Sequence, residues 1–128
     1  MKFTLHYKYT IFDIFGMELN YHPKAAGFIK NLTDPKARRK ISDKLGYLEK
    51  YGIEQMKKAT DAEKIQGIAP IKMDELKFPY RKMEYRLFGG IVADFYGIFH
   101  GYIKRGRKLD RGEVNTALGH RQEMIGPF

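Results

Sequence analysis

Between Lys2 and Phe15 apolar and polar residues alternate, with Phe3, Leu5, Tyr7, Tyr9 and Ile11 on one side and Lys2, Thr4, His6, Lys8 and Thr10 on the other. Successive side chains of a strand point to opposite faces, so this alternation predicts a half-buried strand over residues 2 to 15. Gly16 to His22 reads as a turn region, after which Pro23 opens a short helix through Leu32 that turns Phe28, Ile29 and Leu32 inward. The period then becomes plainly helical: Ala37, Ile41, Leu45 and Leu48 are spaced by four, four and three residues and form one apolar stripe. Asp34 is placed to cap this helix, Pro35 stands where a missing N–H costs nothing, and Gly52 ends it. The two segments together predict a helical hairpin.

Residues 53 to 69 interleave Glu54, Asp61 and Glu63 with Lys57, Lys58 and Lys64, and are read as a further helix with its exit at Gly67 to Pro70. From Lys82 to Arg105 the chain is rich in Tyr, Phe, Ile and Val and is interrupted by Gly89-Gly90, Gly97 and Gly101. That pattern predicts two or three antiparallel strands joined by tight turns, with Gly89-Gly90 as a hairpin turn. Asp110, with Glu113 three residues on, makes a capping box for a last helix through Ile125. Gly112 and Gly119 each weaken that helix by about 1 kcal/mol relative to alanine, so it depends on docking against the sheet. The elements sum to an α+β fold: a small antiparallel sheet of about four strands with an N-terminal helical hairpin and a C-terminal helix. No repeat, low-complexity tract or linker divides the chain, so residues 1–128 are read as a single domain.

Composition narrows the chemistry. With 128 residues, 43% of them hydrophobic, the chain can close one core without a metal or disulfide. The absence of cysteine excludes disulfide scaffolds, Cys-ligated metal sites and thiol catalysis. No run approaches the roughly 18 apolar residues that span a bilayer. His6, Lys8 and Asp13 interrupt the N-terminal apolar positions, so no leader or membrane association is expected and the location expected is the cytoplasm. The four histidines (His6, His22, His100, His120) show no metal-ligand spacing, and the single serine, Ser42, lies within a basic helix; neither a metal, a cofactor nor a serine nucleophile is expected.

The net charge of +9 is concentrated. Lys36, Arg38, Arg39, Lys40 and Lys44 stand against Asp43, a local balance of +4, and Lys104, Arg105, Arg107, Lys108 and Arg111 stand against Asp110, another +4. A lone cluster of this kind is ordinarily a solvated helix face or loop. Two clusters together with Tyr and Phe point to nucleic acid, because Lys and Arg neutralise phosphates while aromatic rings stack on bases. His100, Tyr102 and Lys104 share one face if their segment is a strand. Cleaving RNA without a metal needs a base for the 2′-OH proton, an acid for the leaving 5′ oxygen and cations for the phosphate. A histidine, a tyrosine whose pKa neighbouring cations lower, and a lysine supply those parts, although a packing tyrosine and a structural histidine are the plainer reading of the same strand.

Several segments carry a resemblance. FIKNLTDPKARRKISDKLGYLEKYG (Phe28 to Gly52) resembles the helical hairpin of the RelE/ParE toxin superfamily, in which a Leu-Asp-Pro-Lys-type turn joins two helices. Lys82-Met-Glu-Tyr-Arg-Leu-Phe is similar to the family's Trp-Glu-Leu-Arg strand, aligning Glu84 and Arg86 with its Glu and Arg. Phe99-His-Gly-Tyr-Ile-Lys-Arg followed by Glu113-Val-Asn-Thr-Ala resembles the ending of the phage-derived HigB-like branch. The resemblance covers residues 25 to 125 and implies a basic α+β mRNA endoribonuclease, metal-independent and ribosome-dependent, silenced by an antitoxin protein. On this resemblance Arg86 is a phosphate clamp, His100 and Tyr102 are catalytic, and Lys104, Arg81 and Lys82 contact RNA; the charge clusters add Arg105, Arg107, Lys108, Arg38 and Arg39 as RNA contacts. The chain departs from the family where Ile91-Val-Ala-Asp-Phe places Asp94 in the strand that usually carries a Tyr-Arg pair, and residues 1 to 24 and 53 to 80 exceed a minimal toxin. The alternative readings are a non-catalytic member of the same fold, such as a gyrase inhibitor or a phage nucleic-acid-binding module, and a protein whose basic surface meets an acidic host protein.

Overall fold

A computed structural model describes residues 17–126, so the strand expected over residues 2 to 15 lies outside the described residues. The elements run β1 (Leu19–Tyr21), α1 (Pro23–Lys30), α2 (Pro35–Tyr51), α3 (Ile53–Lys58), β2 (Ala62–Lys64), β3 (Asp74–Tyr80), β4 (Met83–Val92), β5 (Phe95–Ile103) and α4 (Arg111–Ile125). The fold is α+β. The five strands form one sheet in the order β1-β5-β4-β3-β2. All neighbouring pairs are antiparallel except β1, which lies parallel to β5.

The helix ends follow the residues that mark them in the sequence. Asp34 Oδ1 accepts from the backbone N–H of Lys36 at 2.9 Å and of Ala37 at 3.4 Å, and Gly52 closes α2 at φ 90° by donating to Leu48 O. Asp110 does the same for α4, accepting from Gly112 and Glu113. The expected capping box is only half present, because the Glu113 side chain turns away to His100. His22, in the expected turn region, caps α1: its Nδ1 accepts from Lys24 N–H at 3.0 Å. Within that same region Leu19 to Tyr21 forms an edge strand rather than a turn. Residues 53 to 69 are helical only to Lys58 and then supply β2.

Each face of the sheet carries its own core. On one face Ala37, Ile41, Leu45 and Leu48 of α2 and Met56 of α3 cover Leu76, Phe78, Leu87, Tyr96 and Ile98. On the other, Val114 and Ala117 of α4 pack on Phe88, Phe99 and Tyr102, with Met73 and Ile65. The pairing of β4 with β5 runs nearly their full length, with one irregularity: Phe88 faces His100 while Gly89 faces Ile98, leaving Phe99 as an extra residue. Such a bulge re-aims side chains. Here Phe99 joins the α4 core and the next residue, His100, reaches α4 as well, while Ile98 belongs to the core on the opposite face.

The Gly89-Gly90 pair is not a turn, as its sequence context predicted, but lies inside β4. A Cβ on Gly89 would sit 2.6 Å from Tyr96 Cε1 and 2.7 Å from Gly97 O, so glycine is needed there for close approach of the two strands. The hairpin turn falls instead at Ala93-Asp94, with Ala93 at φ 54°. Asp94 is therefore an exposed turn residue and not a strand residue on the candidate surface.

Candidate nucleic-acid interface

The candidate side chains stand in two rows across the sheet face that α4 partly covers. One row is Glu75, Phe88 and His100; the next is Lys77, Arg86 and Tyr102. Alternation along β5 does put His100 and Tyr102 on one face, as the sequence predicted, with ring centroids 6.2 Å apart. Phe88 lies beside both, 5.3 Å from the Tyr102 ring and 6.5 Å from that of His100.

The hydrogen bonds of these side chains differ from what a proton-transfer tyrosine needs. Tyr102 is 6% exposed and its hydroxyl donates to Glu75 Oε2 at 2.7 Å. Burial, then the hydrogen bond to the Glu75 carboxylate, push the phenol well above its ordinary pKa. The expectation that neighbouring cations lower this pKa is thus reversed: Arg86 acts in that direction but is outweighed. Tyr102 holds Glu75 in place.

Arg86 is similarly committed. Its guanidinium meets Glu75 at 3.3 Å and donates to Glu84 at 3.0 Å, and its side chain is largely buried. Glu75, itself 3% exposed, is where the phenol and the guanidinium converge, as suits a buried carboxylate that must be paired. In this arrangement Arg86 is a neutralised strut between carboxylates rather than a bare phosphate clamp.

His100 keeps chemical freedom. Its Nε2 lies 2.6 Å from Glu113 Oε1, and since a carboxylate accepts, that nitrogen carries the proton, so that in the neutral ring the lone pair is on Nδ1. The histidine follows the bulge within β5 and the glutamate comes from the first turn of α4, so the pair ties β5 to α4 across the basic loop 104 to 110. Arg105, Arg107 and Lys108 are exposed on that loop. Lys104 is anchored through its backbone N–H to Glu84 O. Lys104 and Arg107, with Glu63, Lys64 and Glu75, line a cleft of about 210 Å³ between β2, β3 and the loop. Lys77 faces Glu63 at 2.5 Å at its border, a bond that holds the Glu63 carboxyl below its ordinary pKa.

The other expected contacts lie elsewhere. Arg81 and Lys82 form the exposed turn between β3 and β4, with the Arg81 guanidinium 5.3 Å from the centre of the Tyr80 ring. Arg39 is exposed on α2, whereas Arg38 folds back to donate to Leu32 O and secures the α1–α2 connection. Because α2 packs on the face opposite α4, the two basic clusters do not flank one sheet surface. Lys40 of α2 contacts Pro79 O at the end of β3 and lies 5.7 Å from the centre of the Tyr80 ring.

Two groups escaped the sequence reading. Glu113 registered as a capping residue and as the start of the segment resembling the HigB-like ending, with no partner for His100 foreseen, and Glu75 did not register at all. The remaining described histidines also meet: His22 and His120 stack at 4.0 Å, His120 meets His100 edge-on at 5.4 Å, and His22 Nε2 donates to Glu123 at 2.6 Å. Their separation along the chain, 101 residues between His22 and Glu123, leaves no spacing signal. Comparison with protein-family models, with curated proteins and with solved structures gives no match to this chain.

Proposed function

We propose that this chain is a toxin-type endoribonuclease that acts on mRNA at the ribosome through side-chain acid-base chemistry and is held silent by a separate antitoxin protein. The observation that supports this most is the His100–Glu113 pair, 2.6 Å apart, which ties β5 to α4 across a loop carrying exposed Arg105, Arg107 and Lys108. Glu113 fixes the ring and its tautomer, which leaves Nδ1 as the base. His100 takes the 2′-OH proton as the O2′–P bond forms and the P–O5′ bond breaks, the leaving O5′ takes its proton from water, and the loop cations stabilise the charge that develops on phosphate. Glu75, Arg86 and Tyr102 support the sheet beneath.

A second reading, a nucleic-acid-binding protein of the same architecture that does not cut, is favoured by the engagement of Arg86 with two carboxylates and by the burial of Tyr102. Inducible expression followed by mapping of mRNA 5′ ends separates the two. New ends that vanish with His100→Ala support cleavage, whereas growth arrest or ribosome binding without new ends supports the binding protein. Affinity for ribosomes should fall steeply with salt, the slope counting the phosphates contacted; a flat salt dependence refutes both.

A further inference from the structure

His22, His120 and Glu123 bring ligand atoms that all lie within 4.8 Å of one another, the one such triad of His or carboxylate side chains among the described residues. His120 and Glu123 stand three residues apart on α4, hence on one helix face, and His22 comes from the start of α1. His120 Nδ1–H donates to Phe99 O at 2.9 Å, which fixes the ring in the tautomer whose lone pair is on Nε2. A metal-ligating histidine is ordinarily oriented in this way by a backbone carbonyl behind it. Glu123 Oε1 already lies 2.6 Å from His22 Nε2. Its side chain is 66% exposed, so it is free to close the remaining distance, while the His22 side chain at 9% is fixed.

We propose that His22, His120 and Glu123 form a binding site for one zinc ion, through His22 Nε2, His120 Nε2 and a Glu123 oxygen. Two imidazoles and one carboxylate are the donor chemistry of zinc and its spectroscopic substitute cobalt, whereas magnesium and calcium take oxygen ligands. Three protein ligands leave the fourth position to water. The site shares no ligand with the His100–Glu113 pair and stands or falls independently of the ribonuclease reading.

Coordination has a structural consequence that marks this site. Free of metal, His22 Nδ1 accepts from Lys24 N–H and Nε2 carries the proton. Binding zinc at Nε2 displaces that proton to solvent, and a neutral ring then carries its proton on Nδ1, which faces another donor. The α1 cap is lost, lowering affinity by about fivefold relative to a preformed site, and the Lys24 amide is released.

The test uses the untagged full-length chain after chelator dialysis, titrated with zinc by calorimetry and with cobalt by visible absorption. One equivalent should bind, with cobalt giving a tetrahedral spectrum. Glu123→Gln, an exposed substitution that leaves the fold intact, should weaken zinc binding at least tenfold, and His120→Ala should do the same. The Lys24 amide should exchange with solvent faster in the zinc-loaded protein than in the metal-free one. Absence of stoichiometric binding, an undiminished affinity in Glu123→Gln, or a Lys24 amide that zinc leaves unchanged or protects overturns the proposal.

Discussion

Replacing Tyr102 by Phe removes one atom from a buried site and leaves the ring in its place beside Phe88, 5.3 Å away. The atom removed is the donor that meets Glu75 Oε2 at 2.7 Å, on a carboxylate that is 3% exposed. Hydrogen bonds to charged groups contribute about 1.5–3 kcal/mol, and a buried acceptor left short of a donor carries most of that cost. Arg86 still faces Glu75 at 3.3 Å, so the loss should fall in the middle of that range, about 2 kcal/mol. For a domain of this size that corresponds to a fall of roughly 6–8 °C in Tm, measured by calorimetry or circular dichroism. Because its raised pKa disqualifies the phenol from proton transfer, cleavage or ribosome binding at a temperature where the variant is folded should match the parent. Two results refute this reasoning: a Tm unchanged to within about 1 °C, which removes the structural role, or a folded variant that has lost activity, which returns the phenol to the chemistry.

Glu113→Gln should reduce mRNA cleavage by about tenfold or more through loss of the oriented base, while helix content by circular dichroism stays constant because Asp110 alone caps α4. Gly89→Ala drives a methyl into Tyr96 and Gly97 O; Tyr96 is fully buried and donates to Asp74, so the strands must part at a cost of about 1–3 kcal/mol, read as a lower urea midpoint. His120 is held below the ordinary histidine pKa, chiefly by burial, so the unfolded chain takes up its proton at a higher pH than the folded chain does. Its contribution to stability is complete above about pH 6.5 and is lost as the pH falls below that; Tm should drop with acid more steeply in the parent than in His120→Gln, and parallel curves would refute the assignment.

The legible parts of this chain are those whose signals are local. Asp34-Pro35 and Gly52 set the ends of α2 because a cap bonds residues two and three positions away, and the Ala37, Ile41, Leu45 and Leu48 stripe follows from helical geometry alone. Alternation likewise placed His100 and Tyr102 on one face. β3, Asp-Glu-Leu-Lys-Phe-Pro-Tyr, went unassigned; it begins with two acids and carries a proline. Both are buried: Asp74 under the Tyr96 hydroxyl and Glu75 under that of Tyr102, partners 22 and 27 residues away that only strand pairing supplies. The same distance hid the functional assignments. A tyrosine beside cations in the sequence became a buried donor to a carboxylate, a capping glutamate became the partner of His100, and Asp94 moved from strand to turn. For α1, α2 and α4 the sequence by itself determined that the segment is helical and where it begins, and it determined where the positive charge is stored, since these depend on neighbours within a turn or two. The tertiary structure decided what those groups do. A bulge at Phe99 sends His100 to α4, and the packing of α2 on the opposite face divides the charge, both consequences of side chains meeting across the sheet rather than along the chain.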